Sequence, residues 1–359
     1  MSNHVEPHQT TSNHVKLRSL TRYLETLAPP AYQESYDNAR LIVGDPNMDV
    51  TGVLCSLDCV ESVLDEAKEK GCNVVVAHHP IVFRGLKSLT GRDYVERTVL
   101  KAIRENIAIY AIHTNLDAVQ TGVNTKICDV LGLTDTRILA PKGNLMRLRV
   151  YCKKGDVSTL VQRLTAVGAG SVNAETGRVF ATDGVGGADG ETRKETRLEF
   201  LFPKPLTGAL LREIPDIIRY ELETTEVTDR TVGSGMVGRL AEPMSEANFL
   251  AHLKSRLGTG CIRHTELRGK PVETVAVCGG AGSFLFRKAR AARADFFVTA
   301  DYKYHEFFDA DGQLVIADVG HFESEQFTRE LLRDRISEEF STFAARLSEV
   351  NTNPVRYYC

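Results

Sequence analysis

The sequence contains no tryptophan, and aromatic residues make up only 7% of its 359 positions. It also lacks any apolar run near the roughly 18 residues that a membrane-spanning helix needs, so we expect no membrane association. None of its eight cysteines forms a Cys-x-x-Cys pair, which excludes the common zinc and redox motifs of that kind. An excess of basic charge is missing too. The 44 Lys and Arg residues against 47 Asp and Glu residues leave a net charge of −3, which disfavours a nucleic-acid partner.

The first fifteen residues, MSNHVEPHQTTSNHV, are polar and lack the apolar core of a secretory signal. We therefore expect residues 1–15 to form a disordered leader with solvated histidines. Without a secretory signal, the scattered cysteines are expected to be reduced and mostly buried. Both features favour a cytoplasmic protein.

The arrangement of apolar segments predicts one domain inserted into another, which suits a chain of 359 residues. Short β-branched runs alternate with amphipathic helices in residues 16–140 and again in residues 240–359. This pattern predicts an α/β domain with a mostly parallel sheet, built from two sequence halves. Residues 141–239 instead have alternating strands, two helices and a Gly-rich middle, which predict an inserted α+β unit.

Two adjacent histidines, His78 and His79, follow the apolar run NVVVA at the end of a predicted strand. Successive side chains on a strand point to opposite faces, so both histidines cannot be ordinary core residues within it. Where the chain leaves the sheet, both can turn towards one site. Open α/β sheets bind ligands outside the carboxyl ends of their strands, so the pair indicates a ligand site at that edge.

Further imidazole and carboxylate groups follow two other predicted strands. His113 and Asp117 come after IAIYAI, and His321 comes after LVIADVG. Glu325 lies four residues beyond His321, on the same face of a helix predicted over residues 321–340. Each histidine alone is more typical of a capping or core residue. Together, the three strand ends bring imidazoles and carboxylates to one rim and predict a metal site.

These ligand types suit zinc, iron, manganese or cobalt without choosing among them. The expected ligands are His78, His79, Asp117, His321 and Glu325. Five ligands exceed the four positions of one tetrahedral ion, so we expect two divalent metal ions per chain that share a carboxylate. Glu325 is the expected bridge. His113 is either a further ligand or the partner that orients Asp117, and we favour the second role.

Other segments are candidates for contact with a substrate. The Gly-rich turn over residues 278–283 links a strand to a helix, where it either binds an anion or allows close packing. Lys303 and His305 follow the strand DFFVTA, so Lys303 could bind an anionic group and His305 could transfer a proton. The alternative is a helix start capped by Asp301. Arg84 and Lys87 are either anion contacts or exposed loop residues.

Five motifs occur in order along the chain: AHHPIVFRGLKSLT, HTNLDAVQTGVN, VCGGAGSF, TADYKYHE and DVGHFESE. They resemble the successive signatures of the Nif-three-like dinuclear-metal-centre hexameric proteins, often named type 2 GTP cyclohydrolase I homologues. The resemblance extends over nearly all of the chain from about Val15. It implies the same five metal ligands and a homohexameric ring whose metal sites face an internal cavity.

The middle unit resembles the PII-like or CutA-like ferredoxin-type insert of the longer members of that family. VGAGSVNAETGRVFATDGVG and GSGMVGRL carry this likeness. The sequence departs from the pattern at residues 218–227, where IRYELETTEV replaces the usual His-Pro-Tyr-Glu-Glu stretch.

A metal-dependent hydrolase is the leading functional prediction. Two metal ions would activate a water molecule, and Lys303 or His305 would assist the leaving group. The substrate is expected to be a small molecule that bears phosphate or resembles a nucleotide. Two alternatives stay open: a non-catalytic metal-binding or regulatory hexamer, and a ring opening of the GTP cyclohydrolase type, which the family name implies.

Overall fold

The computed structural model describes residues 14–172, 176–188 and 191–358. The leader expected over residues 1–15 therefore lies outside the described part of the chain, apart from His14 and Val15. No helix within the described ranges is long and apolar enough to cross a membrane.

Strands and helices alternate along most of the chain. The strands are β1 (Leu41–Val43), β2 (Gly52–Ser56), β3 (Val74–Ala77), β4 (Ala108–Ala111), β5 (Leu133–Pro141), β6 (Asn144–Cys152), β7 (Phe180–Ala188), β8 (Glu191–Phe202), β9 (Arg219–Thr228), β10 (Gly233–Met244), β11 (Arg263–His264), β12 (Val272–Ala281), β13 (Phe296–Ala300), β14 (Val315–Asp318) and β15 (Ala344–Leu347). The helices are α1 (Leu17–Leu27), α2 (Glu61–Glu69), α3 (Tyr94–Arg104), α4 (Thr114–Ala118), α5 (Val123–Leu131), α6 (Val157–Ala166), α7 (Thr207–Arg212), α8 (Glu246–Leu257), α9 (Phe286–Ala291), α10 (His321–Glu325) and α11 (Thr328–Glu339).

Local signals in the sequence set several helix ends. Asp93 and Ser245 precede α3 and α8, and each side chain accepts a hydrogen bond from a backbone N–H of the first turn. These bonds satisfy donors that have no partner inside the helix. Helices α5 and α8 end at Gly132 and Gly258, which both adopt the left-handed conformation that glycine tolerates best.

The first sheet has the strand order β1-β4-β3-β2-β15. Strands β2, β3, β4 and β15 are parallel, and β1 is antiparallel to β4. Strands β2, β3 and β4 are buried along their whole length, as expected for continuous apolar runs in a parallel sheet that is covered on both faces. The last strand of the chain completes this sheet, since Ala344 pairs with Gly52.

The second sheet has the order β11-β14-β13-β12-β10-β5. Its β12, β13 and β14 are parallel, whereas β5, β10 and β11 pair antiparallel with their neighbours. The expectation of one mostly parallel sheet is therefore corrected, because the α/β region has two sheets and the second is mixed. The reason lies in β5 and β10, which run side by side in opposite directions, with Pro141 paired with Gly233.

The middle of the chain forms a third sheet, which is antiparallel and has the order β7-β8-β6-β9. Its elements follow each other as β6-α6-β7-β8-α7-β9. Leu148 and Phe200 of the sheet share one buried cluster with Leu160 of α6 and Leu210 of α7. This sheet ends at Thr228, whereas the unit expected from the sequence extends to residue 239, which lies inside β10 of the second sheet.

One cluster of buried side chains joins the first two sheets. It includes Val74 of β3 and Val298 of β13, together with Leu20 of α1, Ile127 of α5 and Phe249 of α8. Burial of apolar surface is the main stabilising term of a fold. This core therefore holds the carboxyl ends of β3 and β4 in a fixed position relative to those of β13 and β14.

The single helix expected over residues 321–340 is interrupted. Helix α10 ends at Glu325, and α11 begins at Thr328. At the break, the Gln326 side chain donates a hydrogen bond to the Leu257 carbonyl at 2.8 Å. This tertiary bond anchors the break, and it separates the short helix that carries His321 and Glu325 from α11, which packs on the first sheet.

Candidate metal centre

The paired histidines lie directly beyond β3, where the strand has ended at Ala77. His78 is fully buried, and its Nδ1 donates a hydrogen bond to the Ile112 carbonyl at 2.8 Å. His79 Nδ1 donates to Asp58 Oδ1 at 2.7 Å. Because each Nδ1 atom is occupied by a hydrogen bond, the Nε2 atom of each ring is the one that faces the centre.

The second strand end contributes His113 and Asp117. His113 precedes α4, and its Nδ1 donates to Asp37 Oδ1 at 2.9 Å. Asp117 lies one turn later in α4, and its Oδ1 is 3.5 Å from Nε2 of His78. His113 is thus oriented by Asp37 in the same way as His79 is oriented by Asp58. Of the two roles considered for His113, the role of a further ligand stays open, because His113 lies in one group of possible ligands with His78 and His79.

The third contribution comes from α10. His321 Nδ1 donates to Asp301 Oδ2 at 2.6 Å, and His321 Nε2 lies 3.0 Å from Glu325 Oε2, one turn along the helix. Asp301 adopts φ +54°, which is uncommon for a residue other than glycine. Asp301 therefore holds a histidine of the centre, whereas the residue that precedes the 3₁₀ helix Tyr304–Ala310 as its cap is Lys303.

The Gly-rich turn at the end of β12 packs directly against Glu325. A Cβ atom on Gly280 would lie 2.6 Å from Glu325 Oε1 and 3.1 Å from the His321 ring, and Gly280 has φ +60°. A Cβ atom on Gly279 would lie 3.1 Å from Glu325 Cγ. Of the two roles open for this turn, close packing against the centre accounts for both glycines.

Glu325 occupies the middle of the cluster. Its Oε2 lies 3.0 Å from Nε2 of both His79 and His321, and its Oε1 lies 3.9 Å from Nε2 of His78. Among the described residues, three groups could hold a metal ion, each with ligand atoms within 4.8 Å of one another. These groups are His79, His321 and Glu325; His78, Asp117 and Glu325; and His78, His79 and His113.

Two buried polar atoms of the cluster indicate a metal site. Nε2 of His78 and Oδ1 of Asp117 are buried and have no hydrogen-bond partner among the described residues. Leaving a buried polar atom unpaired costs on the order of 1–3 kcal/mol. A divalent cation between these two atoms would satisfy both, and imidazole with carboxylate is a donor set that such cations accept.

Electrostatics divide the metal-free cluster into two parts. Burial lowers the pKa of His78 to about 3. Burial also disfavours charge on His79 and His321, but their hydrogen bonds to carboxylates outweigh it and raise their pKa values to about 9 and about 11. Those same histidines hold the pKa of Glu325 well below its usual range despite burial, whereas burial and the neighbouring Glu325 raise that of Asp117. The charge is therefore concentrated on His79, Glu325 and His321.

Two cavities open onto the cluster. The first, of about 490 Å³, exposes His79 and His321. Its wall also includes Arg263 and the end of the chain. The second, of about 250 Å³, is lined by Asp117, Glu325 and His321. The first cavity therefore offers a small molecule more room beside the metal-facing histidines.

The structure places Lys303 and His305 at the exposed start of the 3₁₀ helix Tyr304–Ala310. The His305 ring packs edge-on against Tyr304 at a centroid distance of 5.2 Å. Neither Lys303 nor His305 is among the described residues that line the two cavities. Arg84 and Lys87 are exposed on the loop between β3 and α3.

Sequence reasoning missed the side chains that orient the histidines. Asp58 follows β2 at its carboxyl end, which is the same signal that identified the paired histidines. Asp37 and the end of the chain carried no such signal, because they approach the cluster through irregular segments.

Comparison with known proteins gives one consistent result. A family model described as Duf34/NIF3 (NGG1p interacting factor 3) matches residues 15–354. A Bacillus subtilis (strain 168) protein called GTP cyclohydrolase 1 type 2 homolog is 31% identical over 366 residues, covering 95% of this chain and 98% of its own length. The crystal structure of a Bacillus cereus protein related to NIF3 matches with a TM-score of 0.86 at 28% identity, covering 97% of this chain and all of that one. A Staphylococcus aureus structure matches with a TM-score of 0.79 at 27% identity, covering 96% and 99%.

Proposed function

This chain belongs to the Duf34/NIF3 family, and from that premise we propose that it is a dinuclear metal-dependent hydrolase of small molecules. The proposed ligands of two divalent ions are His78, His79, Asp117, His321 and Glu325. The shared position of Glu325 carries the proposal, because its two carboxylate oxygens face different histidines. One ion is assigned to His79, His321 and Glu325, and the other to His78, Asp117 and Glu325.

The proposed metals are zinc, iron, manganese or cobalt. Imidazole and carboxylate ligands suit all four, and the donor set does not choose among them. Two such ions would supply a Lewis acid and an activated water for hydrolysis. The protein's own contribution is orientation. Asp58 and Asp301 hold the Nδ1 atoms of His79 and His321, so that both Nε2 atoms face the same carboxylate.

The substrate is proposed to enter the first cavity, where His79 and His321 are exposed. Arg263 is the cation in that wall. Its guanidinium is held by Asp318 and by the Tyr302 carbonyl, and it lies over the Phe307 ring. A guanidinium fixed in this way suits a planar or phosphorylated group. We therefore favour a phosphate-bearing or nucleotide-like substrate, with Arg263 as its contact.

The names of the relatives support a second candidate, a ring opening of the GTP cyclohydrolase type. The same metal-activated water would attack a purine ring in place of a phosphoester. A non-catalytic metal-binding hexamer is the third candidate. Incubation with GTP separates the first two, because ring opening destroys the purine absorbance whereas phosphoester hydrolysis releases phosphate and leaves the absorbance unchanged.

Two finer assignments accompany the proposal. The β6-α6-β7-β8-α7-β9 order and the antiparallel sheet β7-β8-β6-β9 support a ferredoxin-like unit of the PII or CutA type. Exposed aromatic side chains on the α/β region, such as Tyr36, Phe83, Phe284 and Phe308, support burial against other copies in a homohexamer. Native mass spectrometry of the full chain tests the hexamer directly.

Metal analysis combined with a substrate screen tests the main proposal. The full chain and its His79→Ala variant would be loaded with each candidate metal and assayed on phosphatase, phosphodiesterase and nucleotide substrates. We expect turnover that needs both metal and His79. Full metal loading without turnover on any substrate would instead support the non-catalytic hexamer.

A further inference from the structure

Asp58, which accepts a hydrogen bond from His79, accepts a second one from Thr352. Asp58 accepts His79 Nδ1–H on Oδ1 at 2.7 Å and the Thr352 hydroxyl on Oδ2 at 2.6 Å. Both carboxylate oxygens are thus engaged, one by the imidazole and one by the hydroxyl. The two hydrogen bonds therefore fix the orientation of the Asp58 carboxylate.

The same three-residue arrangement occurs a second time in the centre. Asp37 accepts His113 Nδ1–H on Oδ1 at 2.9 Å and the Thr114 hydroxyl on Oδ2 at 2.6 Å. Here the threonine is the next residue after the histidine. Thr352, by contrast, is 294 residues away from Asp58 in the chain. One arrangement is local, and the other depends on where the end of the chain lies.

We call residues 351–358 the C-terminal tail. Beside Thr352, Asn353 is buried, and its Nδ2 donates to Glu323 Oε1 at 3.0 Å. Glu323 lies in α10, two residues before Glu325. The tail therefore contacts Asp58, which orients His79, and also the helix that carries His321. Part of the wall of the first cavity is formed by Asn353, Pro354, Val355 and Tyr357.

We propose that Thr352 is a positioning residue for His79 and acts through Asp58. The inference rests on the proposed role of His79 as a metal ligand. A carboxylate that accepts Nδ1–H keeps the imidazole in the tautomer whose Nε2 carries the lone pair, and it fixes the ring plane. Without the Thr352 hydroxyl, Asp58 can rotate and take the His79 ring out of line with Glu325.

The test measures metal binding on the full-length chain after removal of metal with a chelator. Thr352→Val keeps the size of the side chain and removes the donor, whereas Thr352→Ser keeps the donor. Zn²⁺ titration against a competing indicator should show one ion bound roughly 10-fold more weakly in Thr352→Val, a loss typical of residues that support a ligand. The second ion and the Thr352→Ser variant should bind as the wild type does.

A matched control is available in α3. Thr98 is buried, and its hydroxyl donates to the Tyr94 carbonyl at 2.7 Å, away from the metal centre. Thr98→Val makes the same chemical change and should leave both affinities unchanged. Visible absorption of the Co²⁺-loaded proteins adds a second readout, because the ligand-field bands should change in Thr352→Val and not in Thr98→Val.

A double-mutant cycle identifies the route of the effect. If Thr352 acts through Asp58, Thr352→Val should cause no further loss of affinity in an Asp58→Asn background. Additive losses would overturn the proposal, and so would wild-type affinity and Co²⁺ bands in Thr352→Val. A wild-type chain that binds no metal would overturn the proposed function together with this inference, whereas two ions bound equally well by wild type and Thr352→Val would overturn the inference alone.

Discussion

Nε2 of His78 and Oδ1 of Asp117 face each other across 3.5 Å in the interior of the protein. The distance is longer than a hydrogen bond, and no other described residue satisfies either atom. The two residues come from the ends of different strands, His78 after β3 and Asp117 after β4. A cation placed between them would bind to groups that the fold already holds in position.

The first prediction concerns stoichiometry. We expect close to two transition-metal ions per chain, because Glu325 belongs to two separate groups of possible ligands. Elemental analysis after saturation with each candidate metal and removal of excess by gel filtration measures this. One ion or fewer with every metal would contradict a dinuclear centre.

The second prediction concerns the bridge. Glu325→Ala should remove both ions because it takes one ligand from each, whereas His78→Ala should chiefly weaken one. Glu246→Gln is a suitable control, since Glu246 is also buried but binds the backbone N–H groups of Arg268 and Gly269. The metal content of the three variants tests this prediction. If the Glu325→Ala protein retains one full equivalent of metal, Glu325 is not the bridging ligand, and Asp117 is the next candidate.

The third prediction concerns the pH dependence of the metal-free protein. Burial lowers the pKa of His78 from its ordinary 6.5 to about 3, so the unfolded chain binds one more proton between these values. Stability should therefore fall as the pH decreases from 6.5 towards 3, by about 1.4 kcal/mol per pH unit for one proton. The raised pKa values of His79 and His321 act in the opposite direction, and their contribution is lost only as the pH rises above 6.5.

Urea unfolding between pH 4.5 and 6.5 in the presence of EDTA, carried out in an Asp117→Asn background, measures the contribution of His78. This background is needed because burial and Glu325 raise the pKa of Asp117, which would otherwise oppose the slope. Adding His78→Asn to it should remove most of the slope, whereas the same change at the exposed His264 should not. An equal slope with and without His78→Asn would show that other groups carry the pH dependence.

Patterns local in sequence predicted a large part of this fold. The β-branched run before His78 predicted β3, and its end at Ala77 predicted that both histidines would leave the sheet together. The resemblance to the family is confirmed over residues 15–354. The spacing of His321 and Glu325 predicted their shared helical face, since one turn of helix separates them.

What sequence reasoning missed depends on contacts between distant parts of the chain. Nothing near Thr352 indicates that it reaches Asp58, because the contact exists only once β15 has paired with β2. The break after Glu325 is similar, since Gln326 bonds to Leu257 of another helix. One mostly parallel sheet was expected, because nothing in the local sequence indicates that β5 and β10 pair antiparallel as part of a second sheet.

The fourth prediction concerns the third sheet. Replacing residues 144–228 with a short Gly/Ser linker should leave metal binding intact, because the proposed ligands all lie outside this range. The pairing of Pro141 with Gly233 brings the two ends of the gap close together. Metal content and thermal unfolding of the shortened chain check this, and a soluble, folded variant without metal would show that the third sheet supports the centre.

The last prediction concerns catalysis. If the metals activate water, the rate should rise with pH through one ionisation near neutrality, and replacing zinc by manganese should shift its midpoint. His305→Ala should lower the rate by roughly 10²–10⁴-fold if His305 is the proton donor, with metal content unchanged. Its exposed position allows a direct comparison with His264→Ala, which changes another exposed histidine near the same end of the second sheet and should keep full activity. Arg263 lines the first cavity, where the substrate is proposed to enter, whereas His305 does not line it. Arg263→Lys should therefore chiefly raise KM, because it alters a contact to the substrate. A pH profile that is independent of the metal would place the nucleophile on the protein, and equal rates for His305→Ala and wild type would remove His305 from the mechanism.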